Sequence, residues 1–534
     1  MGIPSYFSHI IKNYSNIIRT LSFFNKQSNF QFDELYMDCN SIIYDSVYEL
    51  EKKNINAESF ENELIRLVIL KIEEYVYMIK PRYLLYIAFD GVAPFAKMEQ
   101  QRTRRYKSQF MAKIERSCDG DHINKWNTAA ITPGTQFMEN LCKEVTLYFN
   151  GNERKKNGYD VRKIITSCSD ECGEGEHKLF KHIRMTASSR KVAVYGLDSD
   201  LIMLSIFHLK YCSDLFIFRE APDFLKSSIP VDIDTEPHFL DIKHLSSCIN
   251  SEMACKFHEP DSRRTVDYIF MCFLLGNDFL PHFPAMNIRT HGITALLDIY
   301  RKCIGNQSGR FLISTSNEIQ WRTVKIFFNE IAKLEYTFLL NEYFVRDSFD
   351  KRTYPETKIE EKQEVLKNIP ILYRGEEKYI CPQEPYWENR YYKALFHIDR
   401  TDISPICNNY LEGLEWVYRY YTNDCPDWRW KYNYHYPPLF SDLAKCVPDR
   451  VHTFIHSNKI KAFSPATQLS YVLPMNVHHL MPEKIACVLR EKYMDSYPEE
   501  YDFQWAFCRY FWEAHPLLPA ISMEQLECIE AVVV

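Results

Sequence analysis

Short apolar runs alternate with amphipathic stretches through about the first 300 residues of the chain. Four of these runs are rich in β-branched or aromatic residues and end in turn or polar residues: residues 35–37, 83–89, 163–166 and 192–195. Helical periodicity follows each of them. This order is typical of a parallel sheet covered by helices, so we predict an α/β fold for this part of the chain.

The pattern changes twice in the second part. From Arg346 to Lys367, twelve of 22 residues are charged, which indicates a solvated helix or an exposed connector. From Tyr386 onward the chain is dense in aromatic residues and interrupted by prolines, which favours a helical and irregular unit. We therefore predict an α/β core over residues 1–310, a helical and charged connector over 311–385, and a mostly helical, aromatic-rich region over 386–534 that packs on the core.

Acidic residues follow the predicted strands. The carboxyl ends of parallel strands meet at one edge of a sheet, where open α/β folds bind their ligands. Carboxylates gathered there would repel each other, so the cluster implies bound cations, and hard oxygen ligands select Mg²⁺ or Mn²⁺. Any one of these acids alone is better explained as a helix cap or a turn residue. The whole set argues for a metal site: Asp38, Asp90, Glu174, Glu176, Asp198, Asp200 and Asp278.

A basic segment follows Asp90. Residues 97–113 contain six basic residues and one acid. Their helical spacing places four polar side chains on one helix face: Lys97, Gln101, Arg104 and Arg105. Guanidinium and ammonium groups on one face suit a terminal phosphate. The spacing alone is equally compatible with a solvated charged face, so both interpretations stay open at this point.

Composition narrows the function classes. The chain has 64 Lys and Arg against 71 Asp and Glu, a net charge of −7, which excludes binding of polyanions by bulk positive potential. The 17 cysteines are odd in number and lack a framework spacing, so we expect reduced thiols. Cys168 and Cys172 have no second Cys or His pair at zinc-ligand spacing. No apolar run approaches the roughly 20 residues that span a bilayer, so we expect an intracellular protein without a membrane segment.

Taken together, the motifs resemble the XRN family of 5′→3′ exoribonucleases, part of the flap-endonuclease-like group of metal-dependent 5′ nucleases. The first half carries the resemblance in Met1-Gly-Ile-Pro4, Asp38-Cys-Asn40-Ser41, Phe89-Asp90-Gly-Val-Ala-Pro94, residues 97–105, Gly173-Glu-Gly-Glu-His-Lys178, Gly196-Leu-Asp-Ser-Asp-Leu201 and Gly276-Asn-Asp-Phe-Leu-Pro281. The second half carries it in Trp387-Glu-Asn-Arg-Tyr-Tyr392, residues 410–417, residues 428–436, Gln468-Leu-Ser-Tyr-Val-Leu-Pro474 and Trp512-Glu513.

The resemblance implies a role for each candidate residue. The seven acids would bind two Mg²⁺ ions, with Mn²⁺ as an alternative, and the four side chains from Lys97 to Arg105 would hold a 5′-monophosphate. One aromatic side chain from each half would stack on the first bases. Tyr44 stands where the family usually has His, and its partner corresponds to Trp428 or Trp430, between which the sequence does not choose.

The expected activity is processive hydrolysis of single-stranded RNA from a 5′-monophosphate end to nucleoside 5′-monophosphates. Two alternatives are a structure-specific 5′ flap nuclease acting on DNA and a non-catalytic RNA-binding protein. We expect a cytoplasmic monomer, with a nuclear site and an activating protein partner left open. The chain resembles a minimal form without the family's C-terminal extension, as would suit a large DNA virus or a protist.

Overall fold

A seven-stranded sheet organises the first half in this computed structural model, which describes residues 2–27, 30–53, 59–119, 126–150, 161–196, 198–219, 237–253, 263–353, 359–456 and 460–533. In chain order its strands β1 to β7 are Ile18–Thr20, Glu34–Asp38, Leu84–Ala88, Lys163–Ser167, Lys191–Tyr195, Asp214–Arg219 and His238–Asp241. They lie side by side as β1-β7-β6-β5-β2-β3-β4. Strands β2 to β6 are parallel, and β7 runs antiparallel to both of its neighbours.

Helices cover both faces of this sheet. Alternate residues of a strand point to opposite faces, and in β2 Leu35 and Met37 pack into one apolar cluster while Tyr36 packs into another. The helices of the first half, α1 to α11, are Tyr6–Asn13, Leu21–Asn25, Asn40–Lys52, Phe60–Ile79, Phe95–Asp119, Gln136–Asn150, Gly175–Thr186, Asp200–His208, Ile242–Glu252, Arg263–Cys272 and Gly292–Tyr300. The first cluster lies under α3, α4 and α6, and the second under α7 to α9.

The second half is helical apart from a short ribbon, β8 (Phe503–Gln504) paired with β9 (His515–Pro516). Its helices α12 to α20 are Trp321–Asp347, Ile359–Leu372, Gly375–Ile380, Trp387–Phe396, Ser404–Thr422, Phe440–Cys446, Pro465–Val472, Glu483–Lys492 and Met523–Val533. Buried residues of α16 share one apolar cluster with α8 of the first half, and α18 packs on α5. The two halves therefore have a common core.

The four predicted strands are confirmed as β2 to β5, and the predicted helical, aromatic-rich second part is confirmed as well. The solvated interpretation of the charged segment is wrong for Arg346, which is 1% exposed and pairs with Glu377 at 2.5 Å. Residues 354–358 of that segment lie outside the described residues. The region boundaries at 310 and 385 stay predictions. Across the described part of the chain, we find no helix that combines the length and apolarity needed to cross a bilayer.

Candidate active site

Two neighbouring strands bring the first acids together. Asp38 is the last residue of β2, and Asp90 follows β3, which pairs with β2 in parallel. The start of α7 closes against both: a Cβ on Gly175 would lie 2.6 Å from Oδ1 of Asp38 and 3.4 Å from Oδ1 of Asp90. A side chain at Gly175 would therefore displace these carboxylates, which is a local reason for glycine there.

Backbone and amide donors orient Asp90. The backbone N–H of Gly175 donates to its Oδ1 at 2.7 Å, and Nδ2 of Asn40 donates to its Oδ2 at 2.5 Å. The Oδ1 of Asn40 accepts in turn from the backbone N–H of Asp90 at 3.1 Å. Asn40 belongs to the motif that begins with Asp38, but the sequence predicts no role for it. Its position two residues after Asp38 was the available signal.

The other acids lie at helix starts and in a loop. Glu174 precedes α7 and Glu176 is in its first turn, while Asp200 begins α8. Asp278 lies in the loop after α10, and its carboxylate and that of Glu174 both pair with Lys97 of α5. The Nζ of Lys97 is 2.5 Å from Oε2 of Glu174 and 2.7 Å from Oδ2 of Asp278. The Lys97 ammonium thus links Glu174 and Asp278.

The crowding of carboxylates shifts their pKa values. Burial, and then the neighbouring carboxylates, raise the pKa of Asp38 and of Glu176 well above the ordinary range. Burial and the charge of Asp278 raise the pKa of Asp200 to about 7. For Asp278, burial acts in the same direction, but the Lys97 ammonium together with other nearby positive charges holds the pKa of this carboxyl below its ordinary range. The raised pKa values of Asp38, Glu176 and Asp200 show that negative charge in the set is not fully balanced, so further positive charge would stabilise it.

A cavity of about 260 Å³ joins this acidic cluster to the basic face of α5. Asp200 is buried behind it, and the other six acids line it together with Tyr44, Lys97, Gln101, Arg104 and Arg105. Arg105 donates to the carbonyl oxygens of Thr128 and Ile131, each at 3.1 Å. The Oε1 of Gln101 accepts from Gln468 at 3.1 Å. The four residues of the predicted helix face thus line the same cavity as six of the acids, and their role as a phosphate-binding face stays a prediction.

Comparison with known proteins bears on the whole chain. The model described as "XRN 5'-3' exonuclease N-terminus" matches residues 1–221, and the model described as "Xrn1 helical domain" matches residues 260–377 and 375–533. The chain belongs to the XRN family. This confirms the resemblance drawn from the motifs.

Curated relatives match nearly the whole of this chain, which in turn spans about half to two thirds of their own length. The "5'-3' exoribonuclease 2" of Gallus gallus is 25% identical over 666 residues, which cover 98% of this chain and 69% of the relative. The "5'-3' exoribonuclease 1" of Schizosaccharomyces pombe is 25% identical over 648 residues, covering 98% of this chain and 48% of the relative. The "5'-3' exoribonuclease 2" of Arabidopsis thaliana is 24% identical over 683 residues, covering 98% of this chain and 66% of the relative.

The donor set of this XRN chain fits a divalent cation. Asp38 Oδ1, Glu176 Oε2 and Asp200 Oδ1 are buried oxygens without a hydrogen-bond partner among the described residues. Buried acceptors without donors are costly, and a cation would satisfy them. Glu174, Glu176 and His177 also offer ligand atoms that all lie within 4.8 Å of one another. Carboxylate oxygens predominate, which suits a hard metal ion.

The two candidate tryptophans have different surroundings in this XRN chain. Trp430 is 8% exposed, stacks on Trp416 with ring centroids 5.2 Å apart, and donates from Nε1 to Glu412 at 3.3 Å. Trp428 is half-buried, and its carbonyl oxygen accepts from the backbone N–H of Phe95 at 3.1 Å, at the start of α5. Trp430 therefore has a packing role, and Trp428 lies beside the start of the basic helix α5.

The cysteines considered for zinc are free thiols: Cys168 is partly buried and Cys172 is exposed.

Two residues of the second half that contact the site were not predicted to act there. The Tyr420 hydroxyl donates to Oε1 of Glu174 at 3.0 Å, and Gln468 bonds both Gln101 and the backbone N–H of Ala93. Both residues are distant in sequence from their partners, so local patterns carried no signal for these contacts.

Proposed function

We propose that this protein is a 5′→3′ exoribonuclease that processively hydrolyses single-stranded RNA with a 5′-monophosphate to nucleoside 5′-monophosphates. The observation that carries the proposal is that one cavity is lined both by a cluster of carboxylates suited to metal ions and by the basic face of α5. The names of the XRN relatives support the reaction class.

The basic face of α5 would select the RNA end. Arg104 lines the cavity and makes no hydrogen bond or ion pair with another described residue, so its guanidinium is available for a terminal phosphate. Arg105 and Gln101 are already held by protein acceptors and donors, which fixes their side chains beside it. A phosphate bound there would place the first phosphodiester near the acids. A triphosphate or a cap would exceed the space that one phosphate needs.

The seven acids would hold two Mg²⁺ ions, with Mn²⁺ as a substitute. Bound Mg²⁺ would supply Lewis-acid chemistry, lowering the pKa of a bound water and stabilising charge on the oxygens of an in-line displacement. The protein's own contribution is positional. Asn40 and the Gly175 N–H orient Asp90, and Lys97 holds Glu174 and Asp278 together before substrate arrives.

Aromatic side chains would hold the first bases. Tyr44 lines the cavity next to the basic face, and Trp428 is the better placed of the two tryptophans because Trp430 is packed on Trp416. Stacking on an aromatic ring accepts any base, which suits an enzyme that removes nucleotides in succession. A single chain supplies all these groups, so the active form we propose is a monomer.

A panel of 5′ ends tests the proposal. One RNA sequence with a monophosphate, triphosphate, cap or hydroxyl end would be incubated with purified protein and Mg²⁺, beside a flap DNA. We expect decay of the monophosphate RNA alone, and its loss in Asp198→Ala plus Asp200→Ala. Cleavage of the flap DNA in preference would support the DNA-nuclease alternative. RNA binding without turnover would support the non-catalytic one.

A further inference from the structure

Glu174 is held at both of its carboxylate oxygens. The Lys97 ammonium pairs with Oε2 at 2.5 Å, and the Tyr420 hydroxyl donates to Oε1 at 3.0 Å. Glu174 is 4% exposed, so its carboxylate depends on protein groups for hydrogen bonding. Tyr420 belongs to α16, 246 residues further along the chain. The second half thus supplies a donor to an acid of the proposed metal site.

The ring of Tyr420 is fixed from three sides. It stacks on His177 with centroids 3.6 Å apart and planes 20° from parallel. Trp416 packs against it at 4.8 Å, and Phe279 meets it edge-on at 5.7 Å. Side chains packed in this way do not change rotamer without displacing their neighbours. The direction of the hydroxyl is therefore set by packing.

The hydroxyl is a donor under ordinary conditions. The bond to Glu174 is 3.0 Å long, and of the two groups the phenol carries the proton while the carboxylate oxygen accepts. The last side-chain torsion of glutamate, χ3, has a broad range of allowed angles. A hydrogen-bond donor fixed beside one carboxylate oxygen restricts the angles that the Glu174 carboxylate can adopt. Hydrogen-bond partners of this kind orient metal ligands and tune their affinity.

We propose that Tyr420 is a positioning residue that holds the Glu174 carboxylate in the orientation required for divalent-cation binding. The inference rests on the proposed function. In that proposed function Lys97 has two roles: it belongs to the predicted phosphate-binding set, and it pairs with Glu174 and Asp278. A substrate phosphate that draws Lys97 away would leave Glu174 with the Tyr420 hydroxyl as its remaining donor. Tyr420 thereby couples the second half of the chain to the metal site.

The test compares Tyr420→Phe with a matched control on the same helix. Tyr418 donates to Oδ1 of Asn317 at 2.7 Å and hydrogen-bonds none of the seven acids among the described residues. Tyr418→Phe therefore makes the same chemical change as Tyr420→Phe, the loss of one tyrosine hydroxyl, away from Glu174. Mn²⁺ affinity of the RNA-free protein would be measured by electron paramagnetic resonance. The Mg²⁺ concentration for half-maximal RNA decay, and KM for RNA at saturating Mg²⁺, would be measured in parallel.

We expect Tyr420→Phe to weaken Mn²⁺ binding about 10- to 100-fold and to raise the half-saturating Mg²⁺ concentration by a similar factor. KM for RNA at saturating Mg²⁺ should stay within about twofold, and Tyr418→Phe should match the unaltered protein, because neither change touches the basic face of α5. Thermal melts followed by circular dichroism would set a temperature at which every variant is folded.

Wild-type Mn²⁺ affinity in folded Tyr420→Phe would overturn the proposal, as would an equal loss in both variants. The Mn²⁺ measurement needs no RNA, so it separates this inference from the proposed activity. A protein that binds Mn²⁺ but leaves monophosphate RNA intact would refute the activity while Tyr420 is still judged by affinity. A protein that binds no Mn²⁺ would refute the positioning role outright.

Discussion

The ion pairs of Lys97 give a measurable link between stability and cation binding. Lys97→Met keeps most of the side-chain volume but removes the ammonium that lies 2.5 Å from Glu174 and 2.7 Å from Asp278. All three side chains are largely buried. Removing one partner of a buried pair costs about 3–5 kcal/mol, because the remaining charge stays buried without compensation. We expect a loss of this size in the free energy of unfolding in EDTA.

Added Mg²⁺ should restore much of that loss. A ligand at 100 times its Kd stabilises the folded state by about 2.7 kcal/mol. The variant has one more uncompensated negative charge than the parent, so it should bind the cation more tightly and gain more at the same Mg²⁺ concentration. The stability difference between parent and variant should therefore shrink as Mg²⁺ is added, although RNA decay by the variant remains impaired.

Urea titrations with EDTA and with increasing Mg²⁺ would measure this. Lys431→Met is the matched control, because Lys431 pairs with Glu99, which lies on α5 as Lys97 does. The side chains of Lys431 and Glu99 are 26% and 30% exposed. An ion pair with that exposure contributes about 0–1 kcal/mol, and its loss should not respond to Mg²⁺. The reasoning is refuted if the Lys97→Met difference is constant across Mg²⁺ concentrations, or if Lys431→Met shows the same response.

Three further outcomes follow from the geometry. Gly175→Ala should lower kcat for RNA decay by about 10²-fold, because its Cβ would displace the Asp38 carboxylate; an unchanged kcat in a folded variant would contradict this. Trp428→Ala should cost about 1–3 kcal/mol of RNA affinity in a binding titration, whereas Trp430→Ala should cost about 3–5 kcal/mol of unfolding free energy; the reverse pattern would exchange their roles. Burial lowers the pKa of His208 to about 3, so the folded state takes up fewer protons than the unfolded state below pH 6.5. Stability should therefore fall as pH drops, by about 1.6 kcal/mol between pH 6.5 and 5. His208→Gln should remove that part of the slope in urea titrations at several pH values, and an equal slope in both proteins would exclude the assignment.

The acidic edge could be predicted because the information is local. Each of Asp38 and Asp90 follows a β-rich run directly, and parallel strands bring such positions to one edge.

The strands that were not predicted from the sequence are β1, β6 and β7. Two of them are short, with three and four residues, and they lie on the side of the sheet where β7 runs antiparallel to both neighbours. Pairing with neighbours establishes such strands more than their own pattern does.

The partners of the site residues could not be predicted in this way. Spacing placed Lys97 on a helix face but could not show that it pairs with Asp278, 181 residues away. Tyr418, Tyr420 and Tyr421 are all buried in α16, so the pattern gives no sign that Tyr420 reaches Glu174. The Tyr420 contact depends on how the two halves dock, and the Lys97 contact on how α5 and the loop after α10 approach each other; periodicity encodes neither.

The docking of the second half is part of the site itself. Gln468, fully buried, accepts from the Ala93 N–H at 2.9 Å and donates to Gln101 at 3.1 Å, while the Trp428 carbonyl accepts from the Phe95 N–H at 3.1 Å. These bonds fall on the start of α5 and on the side of α5 that lines the cavity. All seven acids belong to the first half, yet Gln468, the Trp428 carbonyl and the Tyr420 hydroxyl, which bond to α5, to the residues just before it and to Glu174, come from the second. The seven carboxylates alone therefore do not define this cavity, because side chains of α5 and of Glu174 are also bonded to groups from the other half of the chain.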